Sequence, residues 1–261
     1  MRKLSVVIPS LNEKDNIVKL VDRIDGALEG IDHEIIFADD SDDDTPLIVK
    51  RISREKPHVK LIHRNRKMGL AIAVAQGFKM ADGDYLACMD ADLQHPPEML
   101  FPMYVAMESG AEYCLSSRFI KGGSDGGQSV FRKLISAAAR KFGKLVLKPL
   151  RPVSDPTGGF FMVKKQVIVH SHMKPAGWKI LTEALSTSHY NRIIEIPYTF
   201  AKRNAGNTKI NLKVSLQYLI QCMSLKRRCT DNKNVIVKRW TKEKTCRMMK
   251  RYREERMPRS C

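Results

Sequence analysis

Short apolar runs alternate, along the first half of the chain, with longer segments in which apolar residues recur at helical spacing. Leu4 to Ile8, Glu34 to Ala38, Val59 to His63, Tyr85 to Met89 and Tyr113 to Ser117 are too short for stable helices and read as strands. Between them, Lys14 to Leu28, Pro46 to Glu55, Gly69 to Met80 and Pro97 to Glu108 read as helices. This order predicts an α/β fold built on a doubly wound, mostly parallel sheet. Sheets of this kind bind ligands outside the carboxyl ends of their strands, and the polar residues of this sequence gather there.

The Tyr85 run leads into Asp90-Ala91-Asp92-Leu93-Gln94-His95-Pro96-Pro97. If extended backbone continues that far, Asp90 and Asp92 share one face, with Ala91 on the other. Two converging carboxylates repel unless a cation lies between them, so the pair suits Mg²⁺ or Mn²⁺, with Gln94 as a neutral oxygen ligand. The plainer alternative makes these residues caps and turn formers ahead of the helix near Pro97. His95 is expected to shape the loop rather than to ligate.

After the first strand, Pro9-Ser10-Leu11-Asn12-Glu13 offers backbone groups and a carboxylate; after the second, five carboxylates crowd Asp39 to Asp44. One acid serves the following helix as a cap, and the others suit hydrogen bonding to a base or ribose, with Asp39 best placed and Asp40 beside it. No GxGxxG follows the first strand and no Walker lysine loop is present, which argues against dinucleotide oxidoreductases and P-loop enzymes.

Composition narrows the setting. The 261 residues carry a formal charge of +18, and eleven Lys and Arg against four acids fall after residue 228. Such a tail suits anionic lipid or nucleic acid, or is a solvated surface; only Trp240 and Tyr252 interrupt it, so base stacking, and with it nucleic acid, is not expected. The six cysteines lack metal-ligand spacing and Met1-Arg2-Lys3 leads directly into the first strand, so reduced thiols and a cytosolic setting are expected. The longest uncharged run, Val214 to Leu225, has 12 residues, short of a bilayer span. Over Asn211 to Arg228, Leu212, Val214, Leu216, Leu219, Ile220 and Met223 favour one helical face, widened by Tyr218 and Cys222. The segment suits either a membrane surface or packing against the domain.

Taken together, Val6 to Glu13, Asp39-Asp40-Ser41, Gly69-Leu70 with Ala75 and Gly77, Asp90 to Pro96, Ser154-Asp155-Pro156-Thr157-Gly158-Gly159-Phe160 and Arg203-Asn204-Ala205-Gly206-Asn207-Thr208-Lys209 resemble family 2 glycosyltransferases. The likeness is greatest to dolichol-phosphate mannosyltransferases and related polyprenyl-phosphate sugar transferases, and covers roughly residues 3 to 225. The resemblance implies a GT-A fold, a nucleotide-sugar donor such as GDP-mannose or UDP-glucose, and a polyprenyl phosphate acceptor. It implies that Asp90, Asp92 and Gln94 hold the metal, and that Pro9, Asn12, Glu13, Asp39 and Asp40 face the donor. It further implies that Arg118, Arg132 and Arg203, with Ser136 and Lys209, bind the acceptor phosphate. Each arginine taken alone reads equally well as a surface cation.

The division expected from sequence is a transferase domain over 1–210, a membrane-surface helix over 211–228 and a basic tail over 229–261. Many relatives continue into transmembrane helices at this point. A peripheral protein on the cytoplasmic face of a membrane, anchored by that helix, by the tail or by a separate transmembrane partner, is therefore expected. Two alternatives stay open: transfer to a hydroxyl acceptor, with Glu183 or another acid as base, and an inactive scaffold that binds membrane or nucleic acid through its tail. Gly122 to Gly127 reads as a lid or a flexible connector, and Gly158-Gly159 as a place of close backbone approach or a plain turn.

Overall fold

Alternate residues of the first strand face opposite ways: Leu4, Val6 and Ile8 join one buried cluster and Val7 the other, so the strand is covered on both sides. The computed structural model describes residues 1–64, 69–127, 130–175, 177–201, 212–232 and 234–257, without the side chains of 130–132 and 212–215. In chain order the elements are β1 (Leu4–Ser10), α1 (Ile17–Ala27), β2 (His33–Asp39), α2 (Thr45–Glu55), β3 (Val59–His63), α3 (Leu70–Met80), β4 (Tyr85–Cys88), α4 (Leu100–Glu108) and β5 (Tyr113–Ser117). The second half adds α5 (Val130–Val146), β6 (Phe161–Lys164), α6 (Lys165–Val169), α7 (Ile180–Thr187), β7 (Arg192–Pro197), α8 (Leu212–Lys226), β8 (Ile236–Arg239) and α9 (Lys242–Arg256).

One sheet results, in the order β3-β2-β1-β4-β6-β5-β7-β8. Every pairing is parallel except those of β6, which runs antiparallel between β4 and β5. The alternating α/β pattern read from the first half is present as expected. Helix α1 shows why: Ile17, Leu20, Val21 and Ile24 recur at helical spacing and are all buried. Pro46 opens α2, where a missing N–H costs nothing. Gly69, at φ +96°, supplies the turn into α3 that a side chain would strain.

Helix α3 lies on β1 through Gly77. An ideal Cβ there would sit 2.3 Å from Val7 Cγ1 and 3.2 Å from Val7 Cγ2. Gly77→Ala is expected to destabilise the protein by about 1–3 kcal/mol, the usual cost of overpacking, seen as a lower urea midpoint at unchanged slope.

The basic segment after residue 228 differs from a free tail. Strand β8 extends the sheet beyond β7, and α9 packs on α4 with Thr241 capping its first turn by accepting the Lys244 N–H. Trp240 and Tyr252 are buried in the same cluster as Phe101 and Tyr104. Neither ring is presented for stacking, and 236–256 is continuous with the main sheet and its helical cover rather than set apart from them.

Helix α8 packs against the domain along one side and leaves an apolar row exposed along another. Tyr218, Cys222 and Leu225 are buried against the domain, and Gly143 of α5 admits the Tyr218 hydroxyl where a Cβ would lie 2.2 Å away. Leu216, Leu219, Ile220 and Met223, also at helical spacing, stay 37–62% exposed. Among the described residues no helix is long and apolar enough to cross a membrane.

Candidate active site

Strand β4 ends at Cys88, so the acidic residues expected on a continuing strand lie instead in a turn. Leu93 takes the left-handed conformation at φ +61°, costly for a leucine, and the Asp92 carboxylate accepts the Gln94 N–H at 3.1 Å. Asp92 is buried, whereas the Asp90 side chain remains 40% exposed. Both acids thus lie in the turn that follows β4, not on a continuing strand.

His95 holds this turn. Its Nδ1 accepts the Asp90 N–H at 3.1 Å, and its ring stacks on Phe160 with Tyr198 and Phe200 at its edges. Burial pushes its pKa down, against the raising influence of Asp90 and Asp92, so the ring stays neutral and does not cancel the Asp90 charge. That matches a loop-shaping histidine. Gly159 lies alongside, where a Cβ would meet His95 Cε1 at 3.3 Å and both Asp90 carboxylate oxygens at 3.5 Å. The close backbone approach expected at Gly158-Gly159 occurs here.

A hard divalent cation fits this donor set. Asp90 and Asp92 supply carboxylates, and Gln94 has its amide nitrogen tied to the Ala201 carbonyl at 3.2 Å, which assigns its Oε1 to the other side.

At the ends of β1 and β2 the acids are more committed than the sequence suggests. Asp39 is fully buried: Oδ1 accepts from the hydroxyls of Ser10 at 2.7 Å and Ser41 at 2.6 Å, and Oδ2 contacts His63 Nδ1 at 2.8 Å and the Ser41 N–H at 3.3 Å. Four partners fill a carboxylate, so a base or ribose would have to replace one of them. Asp40 is locked just as firmly, pairing with Arg64 through Nε and Nη2 at 2.6 and 2.5 Å. Both acids are thus held in fixed positions by protein partners at the ends of β1 and β2. Asn12 sits left-handed at φ +58°, with its N–H donating to Ser41 and its Oδ1 accepting from the Asp42 N–H. Glu13 accepts from Asn16 and donates its N–H to Thr45, and Pro9 aligns with Ala38 across the sheet. Together these bonds fix the rim.

Arg118 follows β5 and is mostly buried, its Nε and Nη2 donating to Asp155 Oδ2 at 3.1 and 2.8 Å. Phe119 and Phe200 lie against the guanidinium at 5.1 and 5.2 Å. Burial opposes its charge, but Asp155 outweighs that and raises the pKa. Asp155 is itself placed through the fully buried Glu195, which accepts from the Ser154 N–H at 2.6 Å and hydroxyl at 2.7 Å and from Arg239 of β8 at 2.8 Å. The basic C-terminal segment therefore buttresses the site.

Two cations join the cluster that the sequence reading does not single out. Lys179 and Arg140 both have their pKa pushed down by burial, with Asp155 opposing and Arg118 adding to the effect; Asp90 also opposes it at Lys179. Arg140 stacks on Phe119 at 3.6 Å. Lys179 is held next to Trp178, whose Nε1 donates to Gln217 of α8 at 2.8 Å. A charged residue inside an otherwise apolar Trp178 to Leu181 was the signal available.

Of the other expected phosphate ligands, Ser136 lies half-buried on α5. Arg132 is on the same helix without a described side chain, and Arg203 and Lys209 fall outside the described residues. Glu183 is buried, accepts the Lys174 N–H at 2.8 Å and lies 3.6 Å from Arg228, so it is committed to the protein interior. That removes the named base of the hydroxyl-acceptor alternative. The Gly122 to Gly127 segment is bonded rather than loose: the Ser124 N–H donates to the Tyr198 carbonyl at 3.0 Å, the Ser124 carbonyl accepts the Phe200 N–H at 2.9 Å, and a Cβ at Gly126 would strike the Phe200 carbonyl.

The model of the family described as "Glycosyl transferase family 2" matches residues 5–170. A dolichol-phosphate mannosyltransferase of Pyrococcus furiosus is 41% identical over 218 residues, 83% of this chain and 62% of the relative. The chain thus spans about three fifths of that relative's length. The Saccharomyces cerevisiae dolichol-phosphate mannosyltransferase is 35% identical over 234 residues, covering 85% of this chain and 86% of its own. Among solved structures, the Mycobacterium tuberculosis glucosyl-3-phosphoglycerate synthase in complex with Mn²⁺, UDP-glucose and phosphoglyceric acid aligns with a TM-score of 0.61 at 20% identity, over 88% of this chain and 81% of the synthase. At that identity the likeness concerns the GT-A fold.

Proposed function

We propose that this chain, which belongs to glycosyl transferase family 2, transfers a hexose from a nucleotide sugar to a polyprenyl phosphate, with inversion and with a divalent metal bound by Asp90, Asp92 and Gln94. The observation that carries the reading is the meeting of an acidic turn with a cationic cluster: His95 lies within electrostatic reach of Asp90, Asp92, Arg118 and Asp155 together. Two anionic substrates must be brought into contact, and each needs its own positive charge.

On the donor side, Mg²⁺ or Mn²⁺ would neutralise charge developing on the leaving diphosphate. The turn orients its carboxylates through the Asp92 to Gln94 bond and the Asp90 to His95 bond, while the Asn12 and Ser41 rim frames the nucleotide. On the acceptor side, Arg118 grips the phosphate with the guanidinium nitrogen that Asp155 leaves free. Arg140 and Lys179 add charge, and Arg132, Ser136, Arg203 and Lys209 complete the set. A phosphate monoester is already anionic near neutral pH, so its oxygen attacks the anomeric carbon without a dedicated base. One displacement inverts the centre, and an α-linked donor gives a β-linked lipid phosphate sugar. Mannose from GDP-mannose is favoured by the names of the relatives, with glucose as the second donor sugar.

Acceptor class is tested by offering a short polyprenyl phosphate and the corresponding polyprenol under identical conditions. Transfer to the phosphate alone supports the reading; transfer to the alcohol contradicts it.

The acceptor requires a lipid surface. Leu216, Leu219, Ile220 and Met223 form an exposed apolar row on α8, with exposed Lys226 and Arg227 at its end for anionic head groups. Trp178 links that helix to Lys179. This arrangement supports peripheral membrane binding, which we place on the cytoplasmic face, alone or beside a transmembrane partner. Changing all four to serine is expected to lower binding to anionic vesicles by roughly a hundredfold or more, since each buried side chain contributes about 1.5–3 kcal/mol. Vesicle flotation that is unchanged by the four substitutions would place the contact elsewhere.

A further inference from the structure

Asp25, His33 and His58 meet at the opposite end of the sheet. Asp25 lies in the last turn of α1, His33 begins β2 and His58 precedes β3. His33 and Asp39 are the two ends of β2, six residue steps or roughly 20 Å apart, so this cluster is distinct from the site at the strand carboxyl ends. Asp25 Oδ1 lies 3.1 Å from His33 Nε2 and 2.9 Å from His58 Nε2, and the three ligand atoms lie within 4.8 Å of one another.

The hydrogen bonds around the group define what it lacks. His33 Nδ1 is 2.8 Å from the Ile31 carbonyl, an oxygen that only accepts, so Nδ1 carries the proton. In neutral His33 the lone pair of Nε2 then points at a carboxylate oxygen, which is also an acceptor. Two acceptors at this separation are reconciled only by a positive charge between them, either a second proton on His33 or a metal ion. Lys56 does not supply it, because its Nζ binds the other oxygen, Asp25 Oδ2, at 2.9 Å, and Asp22 at 2.8 Å. Lysine instead fixes the carboxylate from behind, just as the Ile31 carbonyl fixes the imidazole, and this is the outer support that metal ligands characteristically have.

We propose that Asp25, His33 and His58 form a second metal site, one that takes a divalent transition ion of the Zn²⁺ class. Donors about 2.0–2.2 Å from such an ion lie about 3–3.5 Å apart in tetrahedral geometry, close to the 3.1 and 2.9 Å that separate Asp25 Oδ1 from the two histidine nitrogens. Two imidazoles and one carboxylate select Zn²⁺, Co²⁺ or Ni²⁺ over Mg²⁺ or Mn²⁺. The side chains are 25%, 13% and 33% exposed for Asp25, His33 and His58, which leaves a solvent-facing position for water as fourth ligand. An ion here ties α1 to the start of β2 and to the turn before β3, and acts on stability rather than on transfer. The site is independent of the proposed function.

Co²⁺ titration of the full chain tests it, because tetrahedral Co²⁺ absorbs intensely in the visible whereas Co²⁺ on an all-oxygen site does not. The proposal expects an intense band that saturates near about one equivalent, is displaced by Zn²⁺, is kept in Asp92→Asn and is lost in His58→Ala and in His33→Ala. His58 is the most exposed of the three, and the circular dichroism of its variant establishes that it remains folded. No band in the unaltered protein, or a band that survives in the folded His58→Ala variant, overturns the proposal. Nitrogen NMR of the two histidines gives a second reading. Zn²⁺ should shift both Nε2 signals, and a doubly protonated pair unaffected by Zn²⁺ would assign a proton to the gap instead.

Discussion

Replacing Asp92 with alanine is expected to abolish sugar transfer, lowering kcat/KM by about a thousandfold or more, or about 4 kcal/mol of transition-state stabilisation, while the protein stays folded. Asp92 has two roles that the geometry separates. Its carboxylate accepts the Gln94 N–H and so supports a turn in which Leu93 is held left-handed, and it contributes charge beside Asp90. Asp92→Asn keeps an oxygen for the Gln94 N–H and removes the charge. If charge is what the site needs, the asparagine variant loses nearly as much activity as alanine and melts closer to the parent. Initial rates over a range of Mn²⁺ concentrations, with thermal melting of both variants, measure this. Full activity restored by added metal would refute the assignment of Asp92.

Arg118→Lys is the second large effect: kcat/KM for the lipid phosphate should fall by roughly a hundredfold with the donor KM little changed. Lysine keeps a positive charge, yet it cannot bind Asp155 with two nitrogens, lie flat between Phe119 and Phe200, and still present a donor to a phosphate. Arg118→Ala differs in kind. It leaves the Asp155 carboxylate, 1% exposed, without its cation, and a broken buried pair costs about 3–5 kcal/mol. Denaturant midpoints should therefore fall far more for alanine than for lysine, although both lose acceptor use. An equal rise in donor and acceptor KM for the lysine variant would contradict an acceptor role.

Strands β1 to β5 were legible because each is a short apolar run between turn residues, and both faces of the sheet are covered. The second half was harder to read for identifiable reasons. Strand β6 has only four residues and runs against its neighbours, straight after Gly158-Gly159. Strand β7 carries Glu195 in its middle, a buried charge tolerated because Ser154 and Arg239 satisfy it from distant parts of the chain. Strand β8 holds Lys238 and Arg239 at the sheet edge, where charge discourages further pairing, and so looked like part of a tail. At the site, the motifs located the acidic turn and Arg118. They did not reveal that Asp39 and Asp40 are consumed by His63, Ser10, Ser41 and Arg64, since partners are set by register between β1, β2 and β3. Arg140 and Lys179 became visible only when folding brought α5 and the turn before α7 to the same carboxylate.

Incubation of the full chain with radiolabelled GDP-mannose or UDP-glucose and a short polyprenyl phosphate, with Mn²⁺ or with chelator, tests the central claim most directly. The account predicts a product that extracts into organic solvent, forms only with metal present, and is made from GDP-mannose in preference to UDP-glucose. A folded protein that gives no lipid-linked product from either donor, or that gives it equally in chelator, would contradict it.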